Sequence, residues 1–155
     1  RDQDRKEWNQ KWGELANRLG TLAEDIVAPN IPRLAHKQFG CPDTPDAFMV
    51  RRWIRHKTDN SNRREFDVVA VYPTHVFFNE TKSTPRMSYI DDFLEVIQDI
   101  HGYFPEYQGK TMVPIFAALY LPTEVVKYLS RHRIYAMGMG DETMQLLNFE
   151  EIARA

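Results

Sequence analysis

The chemistry-bearing stretch is Glu65-Phe66-Asp67, followed thirteen positions after Asp67 by Glu80-Thr81-Lys82. On a strand, residues two apart point to the same face, so Glu80 and Lys82 project together. Asp67, early on a neighbouring antiparallel strand, reaches that face across a hairpin, and two carboxylates then meet one ammonium. Hard divalent ions such as Mg²⁺ take oxygen ligands and keep several waters, so one or two carboxylates plus a substrate phosphate hold them. The ion activates a water and neutralises phosphate charge, while a lysine on the same face positions the water or stabilises developing negative charge. E-x-K alone is also a common charge pair on exposed strands. Here, however, Val68-Val69-Ala70-Val71 follows the aspartate and Phe77-Phe78-Asn79 precedes the glutamate, which puts the charges at a buried boundary, where charge needs a reason.

These residues must be positioned by the elements around them. Residues 6–34 have helical spacing, with Trp12, Leu15, Leu19, Leu22 and Ile26 on one stripe and Gly13, Ala16, Gly20, Ala23 and Val27 on a flank of small residues beside it. Pro29 and Pro32 are expected to disturb or end this helix, leaving room for one further turn at 35–37. Gly40, Pro42, Asp43 and Pro45 mark a loop. Strands are predicted at 47–56, 65–72 and 75–82, forming an antiparallel meander with polar turns between them. Residues 87–104 return to helical spacing, with Ser88 as the expected N-cap and Ile90, Phe93, Leu94, Ile97 and Ile100 on one face. The apolar run at 111–120 predicts a strand buried on both faces. A short helix at 123–131, a strand at 134–139, an edge strand at 143–147 and a terminal helix follow. The predicted class is α/β, a mixed sheet flanked by helices in the order α-β-β-β-α-β-α-β.

With 155 residues, 43% hydrophobic and 27% charged, the chain is expected to be one domain over 1–155, with an N-terminal helix at about 6–37 and a core at about 47–147. No apolar run approaches the length of a membrane span. The single cysteine, Cys41, excludes an internal disulfide and suits a cytoplasmic location. The chain begins at Arg1 and reads as trimmed, with a segment upstream. A net charge of −2 means that nucleic-acid binding needs a local basic surface, and Arg51, Arg52, Arg55, Lys57, Arg63 and Arg64 stand against Asp59 alone within 51–64. A solvated hairpin surface is the plainer reading of the same charges.

FDVVAVYPTHVFFNETKST resembles the second and third motifs of the PD-(D/E)XK, or restriction-endonuclease-like, nuclease superfamily, although Glu65-Phe66-Asp67 stands where a proline–aspartate pair is usual. The segments WGELANRLGTLAEDIVAP and DDFLEVIQDIHGYFPEYQGK extend the resemblance to most of the chain, and to a microbial group often carrying an upstream coiled coil. The resemblance implies a restriction-endonuclease-like sheet, Mg²⁺ or Mn²⁺ held by Asp67 and Glu80, catalysis by Lys82, and hydrolysis of DNA. It also implies a glutamate on the first helix near the metal. Among Glu14, Glu24 and Asp25, Glu24 falls beside Gly20 and Val27 at the border of the small-residue flank and is chosen. A homodimer, or a partner on the N-terminal helix through Trp8 and Trp12, is a further expectation. The alternative function is a nuclease-derived nucleic-acid-binding or assembly module without cleavage. The five histidines lack metal-site spacing. Tyr103, Phe104, Tyr107 and Tyr120 are expected in core or rim packing, with base stacking as the alternative. Ser83 and Thr84 either bind phosphate or cap the strand.

Overall fold

Helix α1 runs from Asp2 to Phe39, through both prolines. The computed structural model describes residues 2–59 and 61–154, and the side chains of residues 8–9 and 12–24 lie outside that description. The expectation that Pro29 and Pro32 would disturb or end the helix is therefore corrected. Each proline removes one intrahelical hydrogen bond, but this part of the helix is held from outside. Val27, Ala28, Ile31, Leu34 and Ala35 are buried, Arg33 donates to the Met144 carbonyl at 2.6 Å, and Thr143 donates to Asn30 at 3.0 Å. Ile26, assigned to the buried stripe, is 37% exposed, because the packed face is set by Val27 and its i+4 and i+7 neighbours Ile31 and Leu34. Gly40, at φ 72°, ends the helix. Its N–H reaches His36 O and that of Cys41 reaches Ala35 O, satisfying carbonyls that the last turn leaves open.

Strands β1 (Ala47–Arg55), β2 (Arg63–Val71) and β3 (His75–Thr81) form the antiparallel meander. Helix α2 (Met87–Gln98) and a turn of helix, α3 (Ile100–Tyr103), lead to β4 (Thr111–Ala117), which pairs parallel to β3. Helix α4 (Thr123–Arg131) leads to β5 (Tyr135–Met139), parallel to β4, and β6 (Met144–Leu146) closes the sheet antiparallel before α5 (Phe149–Arg154). The protein is thus α/β, with a six-stranded mixed sheet in order β1-β2-β3-β4-β5-β6. The residues of α2, α3 and α4 pack with Val69, Val71, Val76, Phe78 and Phe116 on one face of the sheet. Those of α1 pack with Val68, Ala70, Phe77, Ile115 and Met137 on the other. Two successive crossovers of one hand that advance in the same direction place their helices on the same face, which leaves the opposite face to α1.

Two details of α2 differ from expectation. Arg86 precedes the helix, no side chain caps it, and Ser88 lies inside its first turn. The helix also stops at Gln98 rather than running to residue 104. At that break the Asp99 carboxylate takes the buried His56 Nε2–H, and the Lys57 N–H donates to Gly102 O at 2.9 Å, so the turn after β1 is fastened to the α2–α3 junction. Among the described residues no helix is long and apolar enough to cross a membrane.

Candidate functional site

The β1–β2 register pairs Val50 with Val68 and Arg52 with Phe66, so Arg51 stands opposite Asp67, and that pair is missing from an otherwise continuous ladder. Arg51 has a φ of 54°, a conformation that costs an L-residue roughly 1–2 kcal/mol. The strands change face here. Val69 and Val71 pack with the α2 cluster as alternation requires, yet Phe66 packs there too, as do Ala47, Met49 and Ile54 on β1. The ladder skips one pair without an inserted residue, and the residue displaced from alternation is Phe66, whereas Asp67 keeps the face that Val69 and Val71 set.

Across β2–β3 the last ladder pair is Val68 with Asn79, so the next positions in register are Asp67 and Glu80. Instead of a further backbone pair, Asp67 Oδ2 accepts a hydrogen bond from the Thr81 N–H at 2.7 Å. The Asp67 and Glu80 side chains lie close enough to interact. Burial raises the Glu80 pKa above the ordinary carboxylate range, against the opposing pull of Lys82 and the interaction with Asp67. Lys82 Nζ lies 3.5 Å from Glu80 Oε1 and 4.6 Å from the centre of the Tyr89 ring. On the reverse face, the Thr81 hydroxyl donates to Asn79 Oδ1 at 2.7 Å, and Asn79 Nδ2 donates to Ile115 O at 3.1 Å. These bonds stiffen the end of β3 against β4, which explains a polar residue between Glu80 and Lys82.

Asp67, Glu80, Thr81 and Lys82 lie in a cleft of about 450 Å³ also lined by Trp53, Arg63, Arg64 and Glu65 of the hairpin and by Tyr89, Asp92 and Phe93 of α2. Two interacting carboxyl groups at a partly buried site favour a positive charge between them, either a shared proton or a cation. Their oxygen chemistry fits Mg²⁺ or Mn²⁺, which needs few protein ligands when waters and phosphate complete the shell. Among the described residues no cluster of three or more His, Cys, Asp or Glu side chains forms. Glu24 lies on α1 three and four residues ahead of the buried Val27 and Ala28, and its side chain is outside the described residues, as are those of Trp8 and Trp12.

Of the six basic residues, Arg63 and Arg64 line the cleft. Arg51, Arg52, Arg55 and Lys57 are exposed on β1 and the turn after it, outside the cleft lining. His56 is buried and serves the hairpin anchor. Tyr103 and Phe104 are core residues, Tyr107 stacks on Phe104, and Tyr120 is exposed outside the cleft. Sequence reasoning missed Trp53 and Tyr89 as cleft residues. Trp53 carried a signal, an indole inside a run of arginines; Tyr89 carried none, because its approach to Lys82 depends on how the β3–α2 connection folds back. Compared with known proteins, the chain matches no family model, no curated protein and no solved structure.

Proposed function

We propose that the protein is a metal-dependent phosphodiesterase acting on DNA, with a PD-(D/E)XK-type site on a restriction-endonuclease-like sheet. The observation that carries this reading is the meeting of the Asp67 and Glu80 carboxyl groups beside Lys82 at one wall of an open cleft. Such a pair is costly to keep buried without a cation to neutralise it. Asp67 and Glu80 would hold Mg²⁺ or Mn²⁺, with Glu24 as a further ligand carried by the resemblance. The ion would supply an acidified water and charge neutralisation at the phosphate.

The chain's own residues supply the rest. The Thr81 N–H fixes the Asp67 carboxylate, and Glu80 together with the Tyr89 ring holds Lys82 in place. From there the ammonium can orient the attacking water and stabilise charge on the phosphate oxygens. Arg63 and Arg64, which also line the cleft, would attract and position the backbone.

The test is incubation with plasmid, branched and single-stranded DNA in Mg²⁺ or Mn²⁺, beside Lys82→Ala and an EDTA control. Cleavage lost in both controls is the expected result. No cleavage of any substrate by folded, metal-bound protein would overturn the enzyme reading in favour of a nucleic-acid-binding or assembly module.

A further inference from the structure

Trp53 is 61% exposed on β1, yet an indole is among the side chains that gain most from burial. Among the described residues no aromatic ring packs on it. It lines the same cleft as Asp67, Glu80 and Lys82, and its cleft neighbours on the hairpin are its cross-strand partner Glu65 and the arginines Arg63 and Arg64. An open aromatic face that shares its cleft wall with two arginines has the composition of a stacking platform for bases, with cations nearby for the phosphates. Tyr107, stacked on Phe104, offers no such open face. Tyr103 and Phe104 are buried, and Tyr120 stands outside the cleft.

We infer that Trp53 stacks on a base next to the phosphate held by Asp67, Glu80 and Lys82, which makes unpaired or frayed DNA the substrate class. The inference rests on the nuclease reading above and deepens it. Within a continuous duplex both faces of every base are covered by neighbours, so an exposed indole can stack only on a base that is unpaired, flipped or at an end. Arg63 and Arg64 then follow the backbone of that one strand and bring the adjacent phosphodiester to the carboxylates. The hairpin that carries Trp53 is fastened to the α2–α3 junction by the His56–Asp99 and Lys57–Gly102 hydrogen bonds, so the platform sits at a set place relative to the reacting groups.

The experiment measures binding by fluorescence anisotropy with Ca²⁺ in place of Mg²⁺, to separate binding from cutting. Its ligands are a single-stranded oligonucleotide, a forked duplex with unpaired arms and a duplex closed by hairpins at both ends. The proteins are the unmodified chain, Trp53→Phe and Trp53→Ala. The unmodified chain is expected to prefer the single strand and the fork over the closed duplex. Trp53→Ala should weaken binding of the single strand about tenfold, within the range for loss of one base–aromatic stack, and collapse the ratio of single-strand to closed-duplex affinity. Trp53→Phe should keep most of that ratio, because its ring still stacks. Equal affinity for all three ligands, equal weakening of all three by Trp53→Ala, or no DNA binding at all would each overturn the inference. Mg²⁺-dependent cutting of closed duplex without dependence on Trp53 leaves the nuclease reading standing and removes this one. The Trp53 binding signature without cutting overturns the nuclease reading and the substrate assignment with it, leaving a base-stacking contact of a binding module.

Discussion

The Asp67 carboxylate accepts a 2.7 Å hydrogen bond from the Thr81 N–H where the backbone pairing of β2 with β3 has ended. One side chain therefore both closes the strand junction and faces Glu80. Asp67→Asn keeps an oxygen for the Thr81 N–H and removes the charge. It should fold normally and, on the proposed metal site, show none of the Mn²⁺-dependent rise in melting temperature expected of the unmodified protein. Asp67→Ala should also be destabilised, by ~1–3 kcal/mol, because it leaves a buried N–H without a partner. Thermal melts with and without Mn²⁺ separate the two, and a metal response retained by Asp67→Asn would remove Asp67 from the metal site.

Glu80 connects the site to pH. Its pKa is raised chiefly by burial above an ordinary value of 4.5, so the native state binds this proton more tightly than the unfolded chain. The associated stability is full below the unfolded value and is lost as pH rises through the raised folded value. Glu80→Gln does not titrate. In EDTA, its melting temperature minus that of the unmodified protein should grow as pH rises from about 4.5 and then level off. A difference independent of pH would contradict the assignment.

Lys82 and Tyr89 separate chemistry from positioning. Lys82→Ala should lower kcat by about 10²–10³-fold, the cost of removing one group that stabilises developing charge. Tyr89→Leu should lower kcat about threefold by releasing an ammonium held over the ring at ~0.5–1 kcal/mol, with KM little changed. Tyr89→Phe keeps the ring and should retain the rate. A Tyr89→Phe loss equal to that of Tyr89→Leu would show that the hydroxyl, not the ring face, matters.

Gly102 has no room for a side chain, since a Cβ there would overlap the His56 imidazole. Gly102→Ala should cost ~1–3 kcal/mol through overpacking. Adding His56→Ala removes the ring that clashes, so the double variant should lose less stability than the two single losses combined. Urea denaturation of the four proteins measures the coupling, and strict additivity would disconnect Gly102 from the hairpin anchor.

Arg63 and Arg64 line the cleft, whereas Arg52 and Arg55 do not. Replacing either cleft arginine with Ala should reduce the slope of log affinity against log salt by about one, the signature of one lost phosphate contact. Arg55→Ala, outside the cleft, should change the slope less. Equal effects at positions 55 and 63 would spread the contact surface over the whole hairpin.

Much of this protein is legible residue by residue. The continuous apolar runs Val68-Val69-Ala70-Val71 and Val76-Phe77-Phe78 mark strands covered on both faces, and the spacing of Ile90, Phe93 and Ile97 marks a helix. The strand and helix order, the mixed sheet and the meeting of Asp67 with Glu80 all follow from such local rules, since a short hairpin ties the two strands together. What alternation could not show is the break at Arg51 and Asp67. Strict period two puts Phe66 and Asp67 on opposite faces, whereas both serve the α2 side once the facing pair leaves the ladder.

By itself the sequence determined which segments become strands and helices and which charged residues lie near one another along a hairpin, because those properties depend on neighbours within a few residues. Only the tertiary structure decided that α1 continues through Pro29 and Pro32, that Tyr89 reaches Lys82, that His56 fastens the hairpin to Asp99, and that Trp53 stands open beside the carboxylates. Each of these depends on burial or contact between segments far apart in the chain, and the free energy of such contacts is set by the packing of the whole fold rather than by local propensity.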